Sequence, residues 1–437
     1  MQRLRQVFPD IIKEQLPPLS AQKAAAVLSG QNFRARPVLL DYMSASVFQP
    51  TRPIAYGRQH ITDDDVQAVV ETLHSDYLTQ GPKVAEFEQK FAAYVGAQYA
   101  VAVSNGTAAL HLCALALGVQ PGQRVITTPI TFAASANCVR YCGGEVHFVD
   151  IDPATALIDL AAVRQLLKSH PKGHFHGLIP VDFAGLPVNL EAARQLADEF
   201  GLWIIEDSCH APGGSFIDSQ GREQRCGNGQ FADLAIFSFH PVKHIATGEG
   251  GMITTNRADL YQELLKLRTH GITKDPAQMQ RNDGGWYMEM QELGYNYRMP
   301  DMLCALGISQ LQRADEGMGR RRQLAARYDA AFAEMPAVTP LAGADGHAYH
   351  LYVIQVANRK EMYDFLRTRE IFAQVHYIPV HTMPYYQGLG WQPGDFPLAE
   401  AYYAHCLSIP LFPSLTDEEQ QYVIDCIQEF VAGTSSS

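Results

Sequence analysis

Leu202-Trp203-Ile204-Ile205-Glu206-Asp207-Ser208-Cys209-His210 decides how the rest of the chain is read. An apolar run flowing into two carboxylates and closed by a turn signal reads as a short strand buried on both faces. Similar runs occupy residues 99–104, 124–129, 145–150, 177–182, 234–240 and 251–255. Helical stretches separate several of them, among them 106–117, 160–169 and 190–200. Buried strands alternating with helices predict an α/β domain built on a large, mostly parallel seven-stranded sheet. Such sheets bind ligands at the carboxyl ends of their strands. The tails of these runs are therefore the places to look for chemistry.

Working outward, Thr62 starts a helix, with Asp65 as its capping-box partner and Val66, Val69, Val70 and Leu73 at helical spacing. A second amphipathic helix is expected over 84–95. Residues 1–50 stand apart as an N-terminal extension, broken by Leu16-Pro17-Pro18-Leu19, with one Ala-rich helix expected at 20–29. After Pro300 a long helix over 301–335 leads to a strand at 347–356, a helix at 360–369, a strand at 373–379 and a helix at 417–431. That order predicts a smaller C-terminal α+β domain. The expected division is 1–50, 51–298 and 299–437.

Composition removes several function classes. The 437 residues carry 34 Lys+Arg against 46 Asp+Glu, a net charge of −12. A general phosphate-backbone binder of nucleic acid is not expected at that balance. There is no apolar run near the roughly 20 residues of a spanning helix, and no secretory signal, so no membrane role is expected. Eight cysteines are scattered without a CxxC pair, as reduced core thiols would be, and a cytoplasmic protein is expected. His174, His176, His240 and His244 lack accompanying Cys or carboxylate at ligand spacing, so no metal is expected. Arg320-Arg321-Arg322 reads as a solvated helix face.

Neither GxxxxGK[ST] nor a GxGxxG after the first sheet strand occurs, which argues against P-loop and dinucleotide readings. Instead Ser104-Asn105-Gly106-Thr107 opens a helix, which is either a plain turn or a single-phosphate site. Asp207 either caps the turn that follows it or holds a protonated heterocyclic nitrogen. His210 either serves structure or orients that group. Lys243 follows the strand ending Phe237-Ser238-Phe239 and precedes Thr247-Gly248-Glu249-Gly250-Gly251. Burial there would lower its pKa to the neutral amine that Schiff-base chemistry needs. Ser238 adds a hydroxyl to the phosphate site. Phe132 either packs in the core or stacks on a flat ligand. A phosphate anchor, an anion for a ring nitrogen and an amine for an aldehyde are together the requirements of pyridoxal 5'-phosphate.

Leu78-Thr79-Gln80-Gly81-Pro82, Ser104-Asn105-Gly106-Thr107, Thr131-Phe132, Glu206 to His210, Ser238 to Gly251 and Gly294-Tyr295-Asn296-Tyr297-Arg298 follow in this order. Through them the chain, over roughly residues 53 to 432, resembles the DegT/DnrJ/EryC1/StrS family of sugar aminotransferases. The resemblance implies a fold-type I pyridoxal-phosphate transferase. It implies Lys243 as the Schiff-base lysine, Asp207 at the pyridine nitrogen, Phe132 over the ring and His210 near it. Gly106, Thr107 and Ser238 would hold the phosphate, with Asn296 reaching in from a neighbouring subunit of a homodimer with shared active sites.

Pro53-Ile54-Ala55-Tyr56-Gly57-Arg58-Gln59 and Ala373 to His381, with the stretch 408–415, are similar to aminotransferases of pseudaminic acid biosynthesis. These act on a UDP-linked 4-keto-6-deoxy-N-acetyl hexose. Thr79, Arg298, His376, Tyr377 and His381 are then candidates for holding the nucleotide sugar, with glutamate as amino donor. Lysine rather than histidine at 243 favours transamination over the dehydration that some family members perform. A non-catalytic use of the scaffold is the alternative of another class.

Overall fold

The apolar run around Ile204 forms the central strand of a seven-stranded sheet in a computed structural model that describes Phe48 and residues 50–434. The strands are β1 (Tyr99–Val103), β2 (Arg124–Thr127), β3 (Glu145–Phe148), β4 (Gly177–Ile179), β5 (Trp203–Asp207), β6 (Leu234–Ser238) and β7 (Gly251–Thr255). Their spatial order is β1-β7-β6-β5-β4-β2-β3. Strands β6, β5, β4, β2 and β3 run parallel, and β7 lies antiparallel between β1 and β6.

Side-chain alternation along each strand divides the core into two layers. Val101, Val103, Ile205, Ile236 and Ile253 pack with α3 (Gly106–Ala116), α4 (Ala134–Tyr141) and α7 (Ala258–Arg268). Ile126, Leu178 and Ile204 pack with α5 (Leu160–Lys168) and α6 (Leu190–Phe200). On β1, β6 and β7, Ala102, Phe237 and Met252 meet α2 (Pro82–Val95) and α8 (Asp301–Gln312). The same alternation sends Asp207 and Ser238 to the α3–α4 side and Glu206 to the opposite one. Two neighbouring carboxylates thus acquire different surroundings.

The capping box expected at Thr62 is present at the start of α1 (Asp63–Leu73). Asp65 also ties α1 to α8: it is fully buried and accepts from Thr62 N (2.9 Å), Ser309 Oγ (2.6 Å), Gln310 Nε2 (2.7 Å) and Arg313 Nη2 (2.6 Å). Burial by itself raises this carboxyl, but hydrogen bonds from Ser309 and Thr62, the Arg313 charge and Gln310 together hold it below the usual range. A depressed folded-state pKa means the contribution is complete above the unfolded value of about 3.9 and disappears as pH falls through the folded one. Asp65→Ala should therefore cost about 3 kcal/mol at pH 7, because it strands a partly buried guanidinium. Urea unfolding at pH 7 and pH 3 checks this, and the difference between wild type and variant should shrink at pH 3.

Three expectations beyond residue 300 differ from the structure. The single helix over 301–335 is two, α8 and α9 (Ala314–Phe332), broken at Arg313, whose guanidinium is drawn to Asp65. The strand over 347–356 is shorter, β8 (Tyr352–Gln355), because Tyr349 turns left-handed at φ 47°. Of 373–379, only the Gln374–Ser408 bridge is strand-like; regular pairing ends at Phe372, and the segment turns to line a cavity. Strand β8 pairs antiparallel with Thr339–Pro340 and with β9 (Cys406–Ile409), under α9, α10 (Arg359–Thr368) and α11 (Asp417–Thr434). Ile54–Ala55 pairs with Ile371–Phe372, which brings Tyr56 to the same cavity. The Ala-rich helix expected at 20–29 lies outside the described residues. Among those described, no helix is long and apolar enough to cross a membrane.

Candidate active site

A cavity of about 870 Å³ opens at the carboxyl ends of the sheet strands. Its floor is built from the turns after β1, β5 and β6, each carrying part of the chemistry. After β1, Asn105 caps α3 by accepting from Ala108 N (2.8 Å), leaving the first amides of the helix unbonded within it. Gly106 and Thr107 line the cavity there. A Cβ on Gly106 would lie 3.1 Å from Ser238 Cβ and 3.3 Å from Cys209 Sγ; one on Gly251 would lie 2.6 Å from the Asn105 carbonyl. Glycine at both places lets the helix start sit against Ser238. The result is a helix N-terminus with a hydroxyl beside it, suited to one phosphate group.

At the tip of β5, Asp207 is buried and lines the cavity floor. Its Oδ2 accepts from Ser135 Oγ (2.6 Å) and its Oδ1 from Cys209 N (3.2 Å). Ser135, at the start of α4, also bonds Thr131 Oγ1 at 2.7 Å. The carboxylate therefore caps its turn and faces the cavity at once. Glu206, one residue back, accepts from Gly227 N (3.0 Å) and from Ser208 Oγ (2.8 Å), which also reaches Asp182 Oδ2 at 2.7 Å. Burial pushes both carboxyls up, Asp182 to about 6 and Glu206 well above its usual range, where the Asp182 charge adds to burial. One serine proton cannot serve both, so this pair, with Cys226 beside it, holds a proton rather than two charges.

Lys243 sits on the turn after β6, partly buried, and borders the cavity. Burial pushes its ammonium down to about 8, against the opposing pull of Cys209 and Asp207, while Arg321 adds to the lowering. Its Nζ lies 3.4 Å from Nε2 of His350. His210 accepts from Ala184 N through Nδ1 (3.2 Å), so its Nε2 carries the proton of the neutral ring and donates to Tyr377 Oη (3.1 Å). Burial, then the Lys243 charge, keeps that ring well below its usual pKa. His376 joins Ser408 Oγ through Nδ1 (2.8 Å), and burial pushes it down to about 3. Phe132 is 62% exposed on the cavity wall, its ring 6.2 Å from Tyr377. Such exposure excludes core packing and leaves an aromatic face free for a flat ligand.

The structure thus brings Gly106, Thr107, Phe132, Asp207, His210, Ser238, Lys243, His376 and Tyr377 to one cavity. Four other candidates lie elsewhere. His381 is fully buried and paired with Glu400 at 2.9 Å, among Phe148 and Phe396. Thr79 and Asn296 are exposed away from the cavity. Arg298 borders a separate hollow of about 270 Å³ with Gln80 and Gly81. Arg321, expected on a solvated face, is 1% exposed, because the period of α9 aligns it with Met318, Leu324 and Tyr328. Sequence reasoning also missed Ser135 and His350. A serine four residues after Thr131 carries a weak signal for the first; nothing local to residue 350 marks the second.

The residues present fit pyridoxal 5'-phosphate: a low-pKa amine, a carboxylate held in register and a helix N-terminus share one roomy cavity. The family model described as the DegT/DnrJ/EryC1/StrS aminotransferase family matches residues 59–428. The chain is 39% identical over 390 residues to the spore coat polysaccharide biosynthesis protein SpsC of Bacillus subtilis, covering 87% of this chain and 97% of that one. It is 34% identical over 383 residues to a UDP-4-amino-4,6-dideoxy-N-acetyl-beta-L-altrosamine transaminase of Campylobacter jejuni, covering 86% and 96%. Helicobacter pylori PseC, an aminotransferase involved in the biosynthesis of pseudoaminic acid, superposes with a TM-score of 0.79 at 30% identity, over 87% of this chain and all of that one.

Proposed function

Because the chain belongs to the DegT/DnrJ/EryC1/StrS aminotransferase family, we propose that it transfers the amino group of glutamate to the 4-keto carbon of a UDP-linked 6-deoxy-N-acetyl sugar. Pyridoxal 5'-phosphate is the cofactor in this reading, and Lys243, Asp207 and the start of α3 hold it. The observation that carries the reading is the meeting of Lys243 and Asp207 in one cavity with that helix N-terminus. When bound, the cofactor supplies an aldehyde for an amine and a ring that takes up electron density released at a carbon losing its proton.

The chain's own residues do the rest. Lys243 Nζ, held near pKa 8 by burial, would anchor the cofactor as an uncharged amine and, when free, would take up and return the proton at the substrate carbon. Asp207 would keep the ring nitrogen protonated, with Ser135 and Cys209 fixing its carboxylate. Gly106, Thr107 and Ser238 would bind the cofactor's phosphate, and Phe132 would cover one face of its ring. His210 and Tyr377 form a neutral hydrogen-bonded wall, and His376 adds a second uncharged ring. Neutral donors suit a sugar, which offers hydroxyls rather than charge.

The active unit in this reading is a homodimer in the cytoplasm. Asn296 and Arg298 do not line the cavity of their own chain, and in this reading Asn296 of the partner subunit completes it. The same stretch exposes Trp286 (79%) and Leu293 (75%), with Met288 and Met290, as an interface segment would. All eight cysteines are free thiols.

Incubation with nitrogen-15 glutamate and a panel of UDP-, GDP- and dTDP-linked 4-keto sugars tests the reading. Label should appear in the sugar product, and fastest with a UDP-linked 6-deoxy-N-acetyl hexose. Loss of a sugar hydroxyl without incorporated label would instead establish a dehydratase.

A further inference from the structure

His350 reaches Lys243 by a device that the catalytic reading leaves unexplained. It comes from a segment 107 residues further along the chain, is 3% exposed and sets Nε2 at 3.4 Å from Nζ of the lysine. Its other nitrogen, Nδ1, is buried with no hydrogen-bond partner among the described residues. His111, His244 and His381 also leave one ring nitrogen unpaired, so what sets His350 apart is its contact with Lys243.

The backbone that carries it is held in an unusual shape. Tyr349, immediately before it, adopts φ 47°, a left-handed conformation strained for a bulky residue. Three restraints enforce it. Arg321, buried and without a carboxylate partner among the described residues, donates through Nη1 to the carbonyls of Tyr349 (3.1 Å), His350 (3.3 Å) and Leu411 (3.0 Å). Gly185 approaches so closely that a Cβ there would lie 2.9 Å from the amide nitrogens of both Tyr349 and His350. His244 donates to Ala348 O at 2.8 Å, tying the segment to the turn that bears Lys243. Strain of this kind persists only where the surroundings over-determine it, and it clusters at working sites.

We propose that His350 is a positioning residue for the Lys243 amine, its Nε2 accepting one N–H so that the unbonded electron pair of Nζ faces the cavity. The inference rests on Lys243 being the reacting amine. A carboxylate at this place would lock the lysine as an ammonium, and a cation would repel it. A buried neutral imidazole restrains a flexible four-carbon side chain without doing either. Burial, followed by the Lys243 charge, keeps the His350 ring well below its usual pKa. The other titratable groups acting on the amine are Asp207 and Cys209 at the end of β5, His210 beyond them, Arg321 from α9, His376 and the adjacent His244. Substitution at 350 leaves all of them in place.

The test is the titration of Lys243 in the full chain after cofactor removal with hydroxylamine. Trace acetic anhydride labels the amine across pH 5 to 10, and peptide mass spectrometry reads residue 243. Wild type should titrate near 8. His350→Leu removes the acceptor that favours the ammonium, so the midpoint should fall by about one pH unit. His350→Gln keeps an acceptor and should return the midpoint to the wild-type value. A Leu variant at the wild-type midpoint, or a Gln variant that follows Leu, overturns the inference. Added pyridoxal phosphate separates the two readings. Wild type that gains no visible absorbance overturns both, whereas normal absorbance with an unshifted His350→Leu titration overturns this inference alone.

Discussion

Lys243→Ala protein should bind pyridoxal phosphate without the visible absorbance of a Schiff base and should pass no nitrogen from glutamate to a keto sugar. The expected fall in kcat is roughly 10⁴-fold or more, since one amine serves as nucleophile and proton carrier and each role alone is worth orders of magnitude. Its fold should survive, because a partly buried lysine with no carboxylate hydrogen-bonded to it contributes little to stability. Unfolding midpoints measured alongside the absorbance separate these two effects. The pH dependence has a definite sign. Burial places the wild-type amine near pKa 8, so uptake of added aldehyde should climb about tenfold per unit below that pH and level off above it. Wild-type rates that are flat from pH 6 to 9, or a Lys243→Ala chain that still transfers nitrogen, would remove this lysine from the chemistry.

Asp207→Asn should do less to binding and much to rate. Asparagine keeps an acceptor oxygen for Cys209 N, now at 3.2 Å, and turns its NH2 toward Ser135 Oγ, now at 2.6 Å, whose hydroxyl can accept in place of donating. What disappears is the negative charge, and a neighbouring anion raises the pKa of a cationic partner by about 1–3 units. Protonation of the ring nitrogen should fall accordingly, lowering kcat roughly 10- to 10³-fold with little change in KM for glutamate. Single-turnover measurement with glutamate alone reads the step concerned. Wild-type kcat in Asp207→Asn would show that the carboxylate serves only as a turn cap. Ser135→Ala, which leaves the charge but loosens it, should fall between the two.

Much of this site is legible in the sequence because its parts sit where strands end. An unbroken apolar run is a strand regardless of partners, and a carboxylate or lysine just past it is delivered to the sheet's ligand edge. That logic reaches Asp207, Ser238, Lys243 and the Asn105–Gly106 helix start. It does not reach His381, which the same segment motif suggests but which faces Glu400 in the interior. Nor does it separate Asp207 from Glu206. Adjacent in sequence and alike in charge, they differ because alternation along β5 turns one toward α3 and α4 and the other toward Asp182 and Ser208.

From sequence alone, then, follow the layered α/β plan, the family and the choice of Lys243 and Asp207 as the proposed amine and its partner carboxylate, since each depends on local periodicity and on motif order. Tertiary packing decided which histidine meets the lysine, why Arg321 is buried, and which residues look away from the cavity of their own chain. Those outcomes depend on contacts between segments a hundred or more residues apart. Burial sets the protonation of such groups, and no property of the neighbouring sequence determines it.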